Sequence, residues 1–226
     1  DKGGYRKMFM LIFTWITIIA TTVLYFVLPG EILKALFWFV IANIGFEMGS
    51  VFCNAYLPDI SHSKNIGRVS GYGWSLGYLG GLIALALAML FLVQTDTPIF
   101  GFGKGEAGAY ENIRATNLLV AVWFAVFSIP TFLFVKDHKP DTKAFLKNAK
   151  HTVKDFRTTA KELREYPQIM RFLIARLVYN DGLVTIFAFG GIYAAGTLGF
   201  TFDEIMMLGI VLNITAGLGA FLMGYL

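Results

Sequence analysis

The chain has 226 residues, of which 56% are hydrophobic and 15% charged, with a mean hydropathy of +0.63. Soluble domains carry charge on about 25% of their residues, so this composition excludes a soluble globular protein. The net charge of +4 fits the Lys and Arg bias of membrane orientation, and no nucleic-acid partner is expected.

Six stretches meet the need of a bilayer for about 20 mostly apolar residues per helix. The first runs over about Met8–Leu28, ended by Pro29-Gly30, and the second over about Ile32–Leu57, ended by Pro58. The third covers about Val69–Val93 and is followed by a polar, glycine-rich loop from Gln94 to Asn112. The fourth, about Ile113–Val135, contains Pro130; the fifth, about Gln168–Gly196, follows Pro167; the last is about Phe202–Leu226. The expected fold is therefore all-α, a multi-pass transmembrane helical bundle.

Charge is concentrated between these spans. Of 34 charged residues (19 basic, 15 acidic), 15 lie between Lys136 and Arg171. On one side of the alternating spans stand 16 Lys and Arg, and on the other only Lys34, Lys104 and Arg114. The positive-inside rule places the first group in the cytoplasm. The segment 136–167 is then cytoplasmic, and Phe145, Ala149, Val153, Phe156, Ala160 and Leu163 recur within it at helical steps. That spacing describes an amphipathic helix on the membrane surface or a solvated linker helix. The expected organisation is 1–135 as one half, 136–167 as linker and 168–226 as the start of a second half.

An ionisable side chain at the bilayer centre costs about 3 kcal/mol on insertion scales, and two acids stand there. Glu47 is near the middle of the second span and Asp181 near the middle of the fifth. Asn43, Glu47, Ser50 and Asn54 follow at i, i+4, i+7 and i+11, so they share one helix face. That face meets a water-filled cavity or a hydrogen-bonded packing seam. Around Asp181 stand Arg176, Tyr179, Asn180 and Gly182, with Arg176 placed as a loose internal counter-ion; the site contacts a cation or substrate, or is a structural ion pair. Gly73, Gly77 and Gly81 repeat every four residues, a spacing that lets two helix backbones approach closely.

Catalytic chemistry has little support. His62, His138 and His151 lack metal-ligand spacing, Cys53 is the single cysteine, and no nucleophile elbow or phosphate loop is present. Neither an enzyme activity nor a cofactor nor a bound metal is expected.

Asp1-Lys2-Gly3-Gly4-Tyr5-Arg6-Lys7 resembles the end of the signature loop of the major facilitator superfamily, with Tyr5 where a basic residue is usual. Asn54-Ala-Tyr-Leu-Pro-Asp59, the run Gly67–Gly81, Tyr179-Asn-Asp-Gly182 and Phe189–Gly196 resemble the vacuole-effluxer-like branch, related to the autophagy-linked vacuolar amino-acid exporter of fungi and its bacterial relatives. The resemblance implies that these are helices three to eight of twelve, with the remainder of the transporter outside this sequence. It puts Glu47 on helix four and Asp181 on helix seven, both cavity-lining. It also implies a cytoplasmic gate made by Asp1, Arg6 and Lys7 with Asp59 and Arg68.

The function so implied is secondary active transport by alternating access: a small polar solute, amino acids in particular, moved with proton coupling or that of another cation. The alternatives are a cation-coupled sugar symporter and a non-transporting receptor or scaffold on the same fold. The expected location is a bacterial inner membrane, or a vacuolar membrane in a fungus.

Overall fold

A computed structural model of the chain describes residues 5–95, 97–135, 158–159, 161–163 and 165–225. Among them the regular elements are all helical. They are α1 (Arg6–Leu24), α2 (Ile32–Asn54), a single turn α3 (Leu57–Ile60), α4 (Ile66–Ala88), α5 (Glu111–Phe134), α6 (Pro167–Gly196) and α7 (Phe202–Tyr225). A π-helical turn, Met89–Val93, continues α4. Most of the expected amphipathic segment lies outside the described residues; within it, 158–159 and 161–163 are helical.

Among the described residues, five helices are long and apolar enough to cross a bilayer: Arg6–Leu24, Ile32–Ile60, Ile66–Val93, Glu111–Phe134 and Glu204–Tyr225. The stretch from Pro167 to Gly196 bends by 46° between Pro167–Phe187 and Phe189–Gly196, and forms a sixth span where the two pieces are taken as one. The Gly190-Gly191 pair follows the break, and paired small residues are a common cause of sharp kinks. The chain is thus a multi-pass, all-α membrane bundle.

Several ends differ from the expected ones. The first span stops at Leu24 rather than Leu28. Tyr25, Phe26 and Val27 donate backbone bonds to residues three earlier, which tightens the chain into turns before Gly30 at φ +92°. Ahead of α7, Thr201 and Glu204 form a capping box: the Thr201 N–H and hydroxyl donate to the Glu204 carboxylate at 2.7 and 2.9 Å. This pairing satisfies donors that the first turn of a helix otherwise leaves open.

The described residues gather into two compact units, one of residues up to 135 together with those from 213 onward, and one of residues from 158 to 212. In the first, α1 lies along α2 and α5. Its buried face is Met10, Thr14, Thr17, Ala20 and Thr21, a narrow strip of mostly small side chains. The Thr17 hydroxyl donates to the Phe13 carbonyl at 3.0 Å, so a polar group on an apolar face is satisfied within its own helix. Opposite it sits Gly45, where an added Cβ would meet Thr17 Oγ1 at 2.7 Å and the Phe13 carbonyl at 3.1 Å. Phe52 stacks against Phe9 and Phe13 at 5.6 and 5.9 Å, further along the same seam.

The same unit holds a second close approach, between α4 and the end of α7. A Cβ at Gly71 would lie 2.7 Å from both the Ala220 carbonyl and the Gly224 Cα. Tyr72 stacks on Phe221 at 5.4 Å, and Gly217 faces Tyr78. The expected glycine face meets few partners among the described residues. Gly81 meets Asn213 Oδ1 at 3.5 Å, but Gly73 and Gly77 have nothing within 4 Å. Gly73 and Gly77 are turned away from the strip that bears Gly71 and Tyr78, so their spacing of four marks a different face.

In the second unit, α6 and the first half of α7 are joined by a turn through Gly199 at φ +69°, and Gly191 faces Ile205.

Overpacking a tight seam typically costs about 1–3 kcal/mol. Gly45→Val in the full-length protein is expected to lower the Tm by that measure, whereas Gly73→Ala changes stability by less than about 0.5 kcal/mol. Thermal unfolding of the two purified variants beside the wild type checks the contrast.

Candidate functional site

Glu47 lies at the middle of the Ile32–Ile60 span. At 100° per residue it stands about 200° around α2 from Gly45, the point of contact with α1. Asn43, Ser50 and Asn54 fall within about 60° of Glu47 on that opposite side. Asn43, Glu47 and Asn54 are exposed and Ser50 is half-buried. The row is therefore a continuous polar stripe on the face that α1 leaves open. Among the described residues no hydrogen bond or ion pair engages Glu47.

In the other unit, Asp181 is fourteen residues into α6, roughly 21 Å along its axis. Leu173, Arg176, Leu177, Asn180, Asp181 and Val184 line one open concavity along that helix. The face thus carries a cation, an amide and a carboxylate between aliphatic walls. Tyr179 is exposed and is not part of the lining. The expected Arg176–Asp181 pairing is not found among the described residues. A spacing of five turns the two side chains about 140° apart around the helix, so they share a concavity without facing each other.

Of the expected gate residues, Arg6 and Asp59 meet at one end of α1. Arg6 Nη1 contacts Asp59 Oδ2 at 3.0 Å and donates to the Ala55 carbonyl at 2.8 Å, while its guanidinium lies 4.9 Å over the Tyr56 ring. The Arg6 side chain is only 13% exposed against 45% for Asp59. Lys7 Nζ donates to the Val135 carbonyl at 2.9 Å. Arg68 lies 5.1 Å over the Tyr225 ring, next to the close approach of α4 and α7. Sequence reasoning grouped Arg68 with Asp59; its contact is instead with the end of α7. Asp1 lies outside the described residues.

The opposite end holds a cluster that sequence reasoning missed. Glu111 accepts from the Tyr25 hydroxyl at 2.7 Å and from the Gly103 N–H at 3.0 Å. Arg114 donates to the Tyr25 carbonyl at 2.7 Å and to the Ala109 carbonyl at 3.1 Å. Buried Asn112 donates to the Leu92 carbonyl at 3.0 Å, at the π-helical turn. An acid in the first turn of α5, where the helix dipole favours negative charge, was the one local signal for this cluster.

The family model described as "Vacuole effluxer Atg22 like" matches residues 1–226. An uncharacterized MFS-type transporter, YxiO of Bacillus subtilis, is 26% identical over 223 residues, covering 96% of this chain and 49% of that protein. Autophagy-related protein 22 of Yarrowia lipolytica is 24% identical over 200 residues, 79% of this chain and 32% of its own length. Autophagy-related protein 22-1 of Aspergillus fumigatus is 24% identical over 167 residues, 70% and 26% respectively. The chain thus spans half or less of the length of these relatives. No solved structure matches it.

The Arg6 clasp gives a stability test. A hydrogen bond from a charged group to a partly buried partner is worth about 1.5–3 kcal/mol, and an exposed ion pair at most about 1 kcal/mol. Arg6→Ala is expected to destabilise the full-length protein by the larger amount and Asp59→Asn by the smaller, because Arg6 also holds the Ala55 carbonyl. Chemical or thermal unfolding of both variants reads the difference.

Proposed function

The chain belongs to the vacuole effluxer Atg22-like family, and from that premise we propose that it forms part of a secondary active transporter that moves small polar solutes, amino acids as the substrate class, by alternating access. The observation that carries this reading is the placement of Glu47 at mid-span, within a stripe of Asn and Ser, on the face of α2 opposite its packing seam. Such a stripe is unfavourable against lipid and suits a water-filled cavity.

Proton coupling follows from the cost of charge in a dry site. A carboxylate without a partner is costly in a closed, dry cavity, so Glu47 is the residue through which a proton or another cation would be carried with the solute. Along α6, Asp181, Arg176 and Asn180 offer a carboxylate, a cation and an amide, groups suited to the two charges of an amino acid.

In this reading residues 1–135 belong to one rocking half, 136–167 form a cytoplasmic linker and 168–226 begin the second half. The Arg6–Asp59 clasp braces the cytoplasmic end of the first half, with Lys7 beside it and Arg68 against Tyr225, and these residues form its share of the gate. Helices outside this sequence complete the cavity.

The test is flux in proteoliposomes made with the full-length protein. A pH gradient is expected to drive uptake or release of amino acids in wild type, with Glu47→Gln and Asp181→Asn close to background while retaining the wild-type melting temperature. Well-folded variants carrying wild-type, gradient-driven flux would sink the coupling role. A wild-type protein that moves no amino acid under any gradient would remove the substrate class.

A further inference from the structure

Away from the mid-span acids, a groove of about 550 Å³ opens among α1, α2 and α5 at the end opposite Arg6. Its walls are apolar, with Val27, Leu36 and Phe39 among them, and its polar residues are Glu31, Arg114 and Asn117. The geometry points to a binding site for an anionic phospholipid, its phosphate on the Arg114 guanidinium and one acyl chain along the apolar wall. This goes beyond the transport reading and requires only that these helices span a bilayer.

Depth is the first support. Arg114 is three residues into α5, roughly 5 Å below the helix end. The headgroup zone of a bilayer is about 5–7 Å thick on each side of the hydrocarbon. With the end of α5 taken as the water boundary, the guanidinium falls in the zone of lipid phosphates. Phe39 is seven residues into α2, roughly 10 Å down, which carries the groove into the acyl region. A soluble solute would use only its upper part.

Charge is the second support. Arg114 is half-buried, and the groups it holds, the Tyr25 and Ala109 carbonyls and the Tyr25 ring at 5.5 Å, are all neutral. The two acids nearby are engaged elsewhere. Glu111 accepts from Tyr25 and Gly103. Glu31 accepts from the Lys34 ammonium and the Leu28 N–H, and these bonds hold its carboxyl below the usual carboxylate range. Among the described residues no carboxylate lies within 4 Å of the Arg114 guanidinium. Its guanidinium faces a groove whose other polar residues are Asn117 and Glu31, the latter paired with Lys34, and whose other walls are hydrocarbon, so an anionic headgroup with an attached chain satisfies both.

The experiment uses the full-length transporter, delipidated in mild detergent and titrated with phosphatidylglycerol, phosphatidylcholine or inorganic phosphate, with bound lipid counted by native mass spectrometry. Phosphatidylglycerol is expected to be retained in preference to phosphatidylcholine, and inorganic phosphate not to compete. Arg114→Gln is expected to weaken phosphatidylglycerol about tenfold, the scale of one charged hydrogen-bonding partner. Ala35→Trp fills the groove from α2 and leaves the carbonyl contacts of Arg114 untouched, so it decides the matter if Arg114→Gln fails to fold; a comparable loss is expected. Equal retention of both lipids, or unchanged phosphatidylglycerol binding in Ala35→Trp, overturns the proposal. Displacement of the lipid by inorganic phosphate or a free amino acid also overturns it, by making the groove a solute site.

Discussion

The first unit is held together at its ends by side chains of one helix that cap the carbonyl end of another. Arg6 donates to Ala55, Lys7 to Val135 and Arg114 to Tyr25, and these three acceptors are the C-cap residues of α2, α5 and α1. A helix leaves its last four carbonyls without partners, and that end carries a partial negative charge. A cation placed there satisfies an acceptor and meets the dipole with the favourable sign. Near a bilayer, where water competes less for these groups, the contact also selects which helices lie side by side. Asn112 serves the π-helical end of α4 in the same way, without charge.

With the ends tied, the middle of the seam needs only close fit. Thr17 bonds within its own helix and Gly45 admits it to van der Waals range, so α1 and α2 meet through small residues, as helices do where lipid offers no hydrophobic drive to associate. This division of labour sets Glu47 apart. The Thr17 hydroxyl on the seam is satisfied locally and the end cations are bound to carbonyls, but the mid-span acid and its Asn and Ser neighbours are turned away from both. The packing of the first unit does not use them.

What was legible in the sequence follows from the same physics. Span number and class are set by local hydrophobic length, and the polar face of α2 by a spacing of four and three that any helix would honour. Contacts between distant residues carry no such local mark. Tyr25 and Glu111 are 86 positions apart, and Glu111 reads as loop until the helix start is known. Repetition of glycine identifies a face without saying which neighbour reaches it: among the described residues Gly71, outside the repeat, makes a close approach to Gly224. Arg176 and Asp181 were judged close in sequence, whereas a helix turns such a pair apart. The family resemblance grouped Arg6 of the signature loop with Asp59 of a separate motif, 53 positions on, a pairing that periodicity alone cannot suggest; the two side chains meet at 3.0 Å.

The two ends of the first unit solve one electrostatic problem differently. Arg6 has a carbonyl, an aromatic face and a carboxylate, so its charge is compensated within the unit. Arg114 has the carbonyl and the aromatic face but lacks the carboxylate, because Glu111 is committed to Tyr25 and Gly103. Had Glu111 turned to Arg114, the Gly103 N–H and the Tyr25 hydroxyl would both lose their acceptor, and the loop before α5 would lose its tie to α1. Anchoring the loop therefore leaves Arg114 without a hydrogen-bonded carboxylate, although Glu111 stays near enough for the two charges to attract. Arg6 is closed into an ion pair within the unit, whereas Arg114 stands beside an apolar groove. The two ends thus differ by the allegiance of a single carboxylate.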